Sequence, residues 1–139
     1  MTDLTIVRER IEGKRVVAVE DDGAKLILDD GTVLRLYMSD SDCCANARGE
    51  WVIQPGALQA IITDVQVAPD MERSGYDGDG ITNYATITIL HNQNPIALAD
   101  CEANNGNGGY YFSVLSLSVM VPGSGEVVAV PVLESEGLT

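Results

Sequence analysis

The chain has 139 residues, 45% of them hydrophobic, and a formal net charge of -13. That length suits one domain with a sizeable core and is short for two. All eight basic residues lie between Arg8 and Arg73, while Ser74 to Thr139 holds seven acidic residues and none basic, which argues against the clustered cations that nucleic acids and anionic membrane surfaces demand.

No apolar run nears the roughly 20 residues of a membrane span. The start, Met1-Thr2-Asp3-Leu4-Thr5, lacks the basic region and apolar stretch of a secretory signal, so residence in a cytosol is expected. Cys43 and Cys44 are adjacent and Cys101 is distant, an odd set that suits buried thiols better than a disulfide framework. With His91 the single histidine, Cys43, Cys44, Cys101 and His91 make a poor zinc pattern, and neither a metal nor a cofactor is expected.

In chain order, residues 1–15 form a lead-in. Its apolar residues at 4, 6, 7 and 11 fit either a short helix or an irregular segment ending at Gly13. Val16 to Glu20, Lys25 to Leu28 and Val33 to Met38 read as a three-strand meander, because Asp21-Asp22-Gly23 and Asp29-Asp30-Gly31 supply the left-handed conformations of tight hairpin turns. Alternation in the third run puts Leu34, Leu36 and Met38 on the core face. Ser39 to Gly49 reads as a polar loop, and Gln54 to Ile62 as one or two helical turns before a strand at Ile61 to Val67.

Asp70 to Asn83 is the longest irregular segment. Within it Tyr76-Asp77-Gly78-Asp79-Gly80 resembles a calcium loop only in part, since no closing glutamate follows, and a surface loop is expected. Tyr84 to His91 alternates cleanly with Ala85, Ile87 and Ile89 inward, and Ile96 to Cys101 follows as its hairpin partner. Tyr110 to Val121 is a further strand with Leu115, Leu117 and Val119 on one face opposite Ser116 and Ser118. Residues 122–139 give an extended strand and tail, edge-like because Pro131 cannot donate to a ladder. The whole is a single all-β domain over 1–139: a mainly antiparallel meander of about eight short strands with one short helix.

The stretch with the most chemistry in it is Asp100 to Phe112. Asn104, Asn105 and Asn107 offer amide donors and acceptors, the glycines at 106, 108 and 109 allow close backbone approach, and Tyr110 and Tyr111 add aromatic surface with hydroxyls. The plainer reading is a long connection whose asparagines and glycines satisfy turn geometry. No nucleophile-base pair, metal cage or phosphate loop accompanies it, and an acidic neighbour, Asp42 or Asp100, makes each flanking thiol less reactive. An enzyme is not expected.

Three features together resemble a known family: the Asp29-Asp30-Gly31 hairpin leading to Asp42-Cys43-Cys44, the Leu58 segment before Ile61-Ile62, and Asn107-Gly108-Gly109-Tyr110-Tyr111-Phe112-Ser113-Val114. Across roughly Ile11 to Val119 they are similar to small phage-encoded β-domains related to the Thoeris anti-defence sponge proteins. This sequence has Gly108-Gly109 where that family's motif has one glycine. The resemblance implies a non-enzymatic phage protein of the host cytoplasm that assembles into homo-oligomers and sequesters a small anionic immune signal of the cyclic ADP-ribose or cyclic nucleotide class. It implies that Asn107 contacts the ligand's polar edge with Tyr110 and Tyr111 beside it. Since no arginine follows Arg73, phosphate contacts fall to Arg35, Arg48, Arg73 or backbone amides. The alternative is a virion structural protein, a capsid decoration or tail component partnered by other virion proteins.

Overall fold

This computed structural model of the chain describes residues 3–42, 45–76, 80–106 and 111–135. Those residues form α1 (Thr5–Ile11) and ten strands: β1 (Val16–Glu20), β2 (Lys25–Leu28), β3 (Val33–Ser41), β4 (Asn46–Ile53), β5 (Asp64–Pro69), β6 (Gly75–Tyr76), β7 (Ile81–His91), β8 (Asn94–Asn104), β9 (Ser113–Met120) and β10 (Val127–Ser135). They pair into two antiparallel sheets, β1-β2-β3-β9-β10 and β4-β8-β7-β5, with β6 added beside β7. The fold is all-β with one short helix, and the strands number ten because several runs are longer or more divided than their hydrophobic pattern suggests.

The inner faces follow simple alternation and meet in one core. The first sheet contributes large side chains, Leu26, Leu28, Leu34, Leu36, Leu115 and Leu117. Opposite them β4 and β8 present mostly small ones, Ala47, Gly49, Ala97, Ala99, Cys101 and Ala103, with Trp51 as the bulky exception. Big against small lets two leucine-rich and alanine-rich surfaces interdigitate at interior density. At Gly49 the demand is strict: a Cβ there stands 2.9 Å from Leu36 Cδ1 and 3.0 Å from Cys101 Sγ.

The meander appears as expected, but its third strand runs on to Ser41 and β4 starts at Asn46, so the loop expected over Ser39 to Gly49 shrinks to the crossover between sheets. Met38 is 40% exposed instead of buried, next to a bulge between Met38 and Asp40. Ser116 and Ser118, expected outside, are 4% and 7% exposed, because small hydroxyls in a central strand are overhung by β3 and β10.

The short helix is the lead-in, where Leu4, Val7 and Ile11 bury one stripe and Asp3 Oδ1 accepts the Thr5 N–H at 2.9 Å. The helical turns expected over Gln54 to Ile62 are turns of another kind. Gly56 (φ 77) and Gln59 (φ 71) are left-handed, and Gln59 N–H is donated to Val16 O at 2.8 Å instead of to a carbonyl four residues back. The following strand starts at Asp64, not Ile61. In the segment expected to be irregular over Asp70 to Asn83, Gly75–Tyr76 pairs with Thr82 and Ile81, so β7 begins three residues before Tyr84. Asp77, Gly78 and Asp79, the centre of the partial calcium motif, lie outside the described residues.

Candidate functional site

The chain changes sheet twice at the same corner of the sandwich, once between β3 and β4 and once between β8 and β9. These crossovers contain the two motifs singled out in the sequence. Asp42 N–H is donated to Phe112 O at 2.9 Å, and Ser113 Oγ bonds Asn46 O at 3.0 Å and Asn104 O at 2.8 Å. The flanks of Asp42-Cys43-Cys44 and of the asparagine-glycine-tyrosine run are thus tied side by side. Cys43, Cys44, Asn107, Gly108, Gly109 and Tyr110 themselves lie outside the described residues.

β8 extends through Asn104, so the first five residues of the expected loop are strand. Asn104 Nδ2 donates to Thr82 Oγ1 at 2.8 Å, and Asn104 Oδ1 accepts Gly106 N–H at 2.7 Å. Asn105 is fully buried and its Oδ1 takes the Ile81 N–H at 2.7 Å. By these bonds both amides fasten the crossover to β7. Tyr111 packs on Gly106, where a Cβ stands 2.7 Å from Tyr111 Cδ2; a left-handed φ of 83 and this contact both require glycine.

Arg48 and Arg73, 25 positions apart, come together on the outer face of the β4-β8-β7-β5 sheet. Register sets Asn46 opposite Asn104, Arg48 opposite Glu102, and Glu50 opposite Asp100, with Tyr84 and Thr86 completing the last two rows. Arg48 Nε bonds Glu102 Oε1 at 2.6 Å. Arg73 reaches over from the 70–74 turn, which Ser74 Oγ holds by accepting Tyr84 N–H, and there its guanidinium lies 4.1 Å above the Tyr84 ring and 3.1 Å from Asp100 Oδ1. Arg48, Glu50, Arg73, Tyr84, Asp100 and Glu102 line a cavity of about 150 Å³. The Asn46–Asn104 row lies next to the Arg48–Glu102 row, about 7 Å along the strands, so the cavity abuts the crossovers. Arg35, the third arginine considered, is on the other sheet, stacked 4.9 Å from the Tyr37 ring centroid.

The sequence pointed to the loop and both arginines, but missed Tyr84, Asp100 and Glu102. The signal was their outward phase, readable for Tyr84 in the Tyr84 to His91 alternation and for Glu102 once β8 is extended to Asn104.

On the inner face Cys101 is buried, and burial first, then the Asp100 charge, pushes its thiol up to about 12. It is protonated and unreactive at neutral pH. His91 Nδ1 sits 2.8 Å from Ile61 O at the far end of β7, about 20 Å along the hairpin from Cys101, so those two cannot share a metal. Among the described residues no three His, Cys, Asp or Glu side chains cluster as a metal cage.

The family described as a domain of unknown function (DUF7448) matches residues 9–117, spanning both crossovers and every residue of the cavity. No curated protein and no solved structure matches the chain.

Proposed function

The chain belongs to the DUF7448 family, and on that premise we propose that it is a non-enzymatic binding domain that holds a small nucleotide-class ligand at the crossover corner. The observation that carries this is the convergence of Arg48, Arg73 and Tyr84 beside the paired crossovers. Two guanidiniums can grip a phosphate bidentately, and an aromatic ring with amide-rich backbone nearby suits a base or ribose.

Both guanidiniums have carboxylate partners, yet these pairs are cheap to exchange. Arg48 and Arg73 side chains are 66% and 51% exposed, and exposed ion pairs contribute about 0–1 kcal/mol, less than charge-assisted hydrogen bonds to a phosphate gain. Glu102 and Asp100 pre-orient the arginines and compete with the ligand. In a phage setting, as the motif resemblance implies, such a domain acts in the host cytoplasm by sequestering a cyclic ADP-ribose or cyclic nucleotide signal, countering host defence without consuming the molecule.

Calorimetry and thermal melting with cyclic ADP-ribose and a cyclic mononucleotide test this. Ligand at 100 times its dissociation constant adds about 2.7 kcal/mol of stability. Arg48→Ala with Arg73→Ala abolishes the shift, while Glu102→Gln tightens binding by removing the competitor. The reading fails if neither compound shifts the melt and mass spectrometry finds no nucleotide released from the purified protein. Recovery of the chain in purified phage particles instead favours the virion role.

A further inference from the structure

The outer face of the β1-β2-β3-β9-β10 sheet carries a feature unrelated to the cavity. Ala18, Ile27, Val33, Met120 and Val127, one residue from each strand, stand directly opposite one another in a single cross-strand row. All five are apolar and all point away from the core. Met120 and Val127 are 48% and 62% exposed. Beside this row β9 contributes Ser118 and then Ser116, small side chains sunk between β3 and β10, so the face is flat along that strand. Arg35 lies along the Tyr37 ring instead of projecting.

We infer that this face is where a second copy of the chain docks, apolar row against apolar row. Three observations select that occupant. The chain carries a net charge of -13, so copies repel wherever acidic surface meets acidic surface. Across the apolar row and the row beside it the charged side chains are Glu20, Lys25 and Arg35, and their sum is +1, so this face escapes that repulsion. Methionine, tyrosine and arginine around small residues are side chains that interface cores favour, and the Glu20 and Lys25 of this face lie toward its β1 edge. Five strands at about 4.8 Å and four to six residues at about 3.3 Å give a projected face of about 300–500 Å², which side-chain relief brings toward the ~800 Å² per partner of a stable complex. The opposite outer face, with its ion pairs and cavity, stays open in such a dimer.

Sedimentation equilibrium on the full chain, over a range of protein and salt concentrations, tests the inference. The wild type is a dimer at micromolar concentration, and its dissociation constant falls as salt screens the repulsion between two acidic bodies. Met120→Lys with Val127→Lys raises that constant at least about tenfold with unchanged circular dichroism, whereas Val52→Lys, at a 58% exposed position outside the other sheet, leaves it alone. Should the double variant not fold, Ala129→Lys, at an exposed position of the second row, takes its place. A wild type that is monomeric at about 100 μM, or a dimer that survives these lysines, overturns the proposal. So does a dimer that weakens with salt, which marks an ionic contact elsewhere. These readouts use no ligand, so the nucleotide reading can fail while this one stands, or the reverse.

Discussion

On the outer face of the β4-β8-β7-β5 sheet, Arg48, Glu102 and Tyr84 form one cross-strand row and Glu50, Asp100 and Thr86 the next, whereas the other sheet offers Ala18, Ile27, Val33, Met120 and Val127 as a row of its own. Both faces arise from the same period-two alternation, and their inner sides are equally buried. Alternation therefore decides which side chains leave the core and says nothing about what they do outside. One face spends its outward positions on charges that pair and orient, the other on aliphatic groups that water does not favour. In a chain this acidic, the first suits a polar guest and the second a surface of like kind.

If the inner faces hold the fold and the outer faces are free for recognition, changes inside must be costly and changes outside nearly silent in stability. Trp51 is the strongest test. It is 2% exposed and the largest side chain on the small-residue side of the core, so Trp51→Ala costs about 3–5 kcal/mol in urea unfolding. Its Nε1 is buried with no hydrogen-bond partner among the described residues, a penalty of about 1–3 kcal/mol already present in the native state. Trp51→Phe removes that penalty and loses less than the change in ring size alone dictates; equal losses for the Phe and Ala variants refute this. Next comes Gly49→Val, which drives a branched side chain into Leu36 and Cys101 and costs about 1–3 kcal/mol. A neutral outcome there breaks the large-against-small account of the two inner faces.

The core was largely legible in the sequence and the site only in part. Ala85, Ile87, Ile89, Leu115, Leu117 and Val119 are buried as their alternation dictates, because burying one side of a strand leaves one register available. The misplaced helix has a local cause. Residues 54–62 contain good helix formers, but Gly56 and Gln59 take left-handed backbone, and Gln59 there meets Val16 and Arg15, contacts from far along the chain that no local window contains. Asn104 and Asn105 read ambiguously because an amide in a glycine-rich run serves a guest or a turn equally well. Their bonds to Thr82 and Ile81, 22 and 24 positions away, lie outside any local window. Likewise Arg73 finds Asp100 across 27 positions by a register that composition does not encode.

Titration gives smaller effects, one at each end of the pH scale. For Asp30, burial pushes the carboxyl up, but hydrogen bonds from Thr32 and Lys14 outweigh it and hold it at about 2. A folded value below the ordinary one of 3.8 means stability that is complete above about pH 4 and drains away as pH falls toward 2. Asp30→Asn flattens that slope in urea midpoints. Cys101 behaves oppositely: raised from 9.0 to about 12, it favours folding below about pH 9 and loses that contribution as pH climbs toward 12. Cys101→Ala removes the alkaline slope, and an unchanged slope in either variant assigns it to other groups.

The smallest expected change in stability is the most informative. Arg48→Ala combined with Arg73→Ala breaks the 2.6 Å and 3.1 Å ion pairs and the guanidinium stack on Tyr84, yet all these groups face solvent. Exposed pairs contribute about 0–1 kcal/mol each and less at high salt, so the urea midpoint moves by under about 1 kcal/mol and the shift shrinks further in 0.5 M salt. A loss above about 2 kcal/mol means that the arginines are architectural, pinning the 70–74 turn to the sheet, and the face ceases to be a receptor surface. A small loss together with abolished nucleotide binding separates the two roles cleanly, because a group kept for structure cannot be removed at so little cost to the fold.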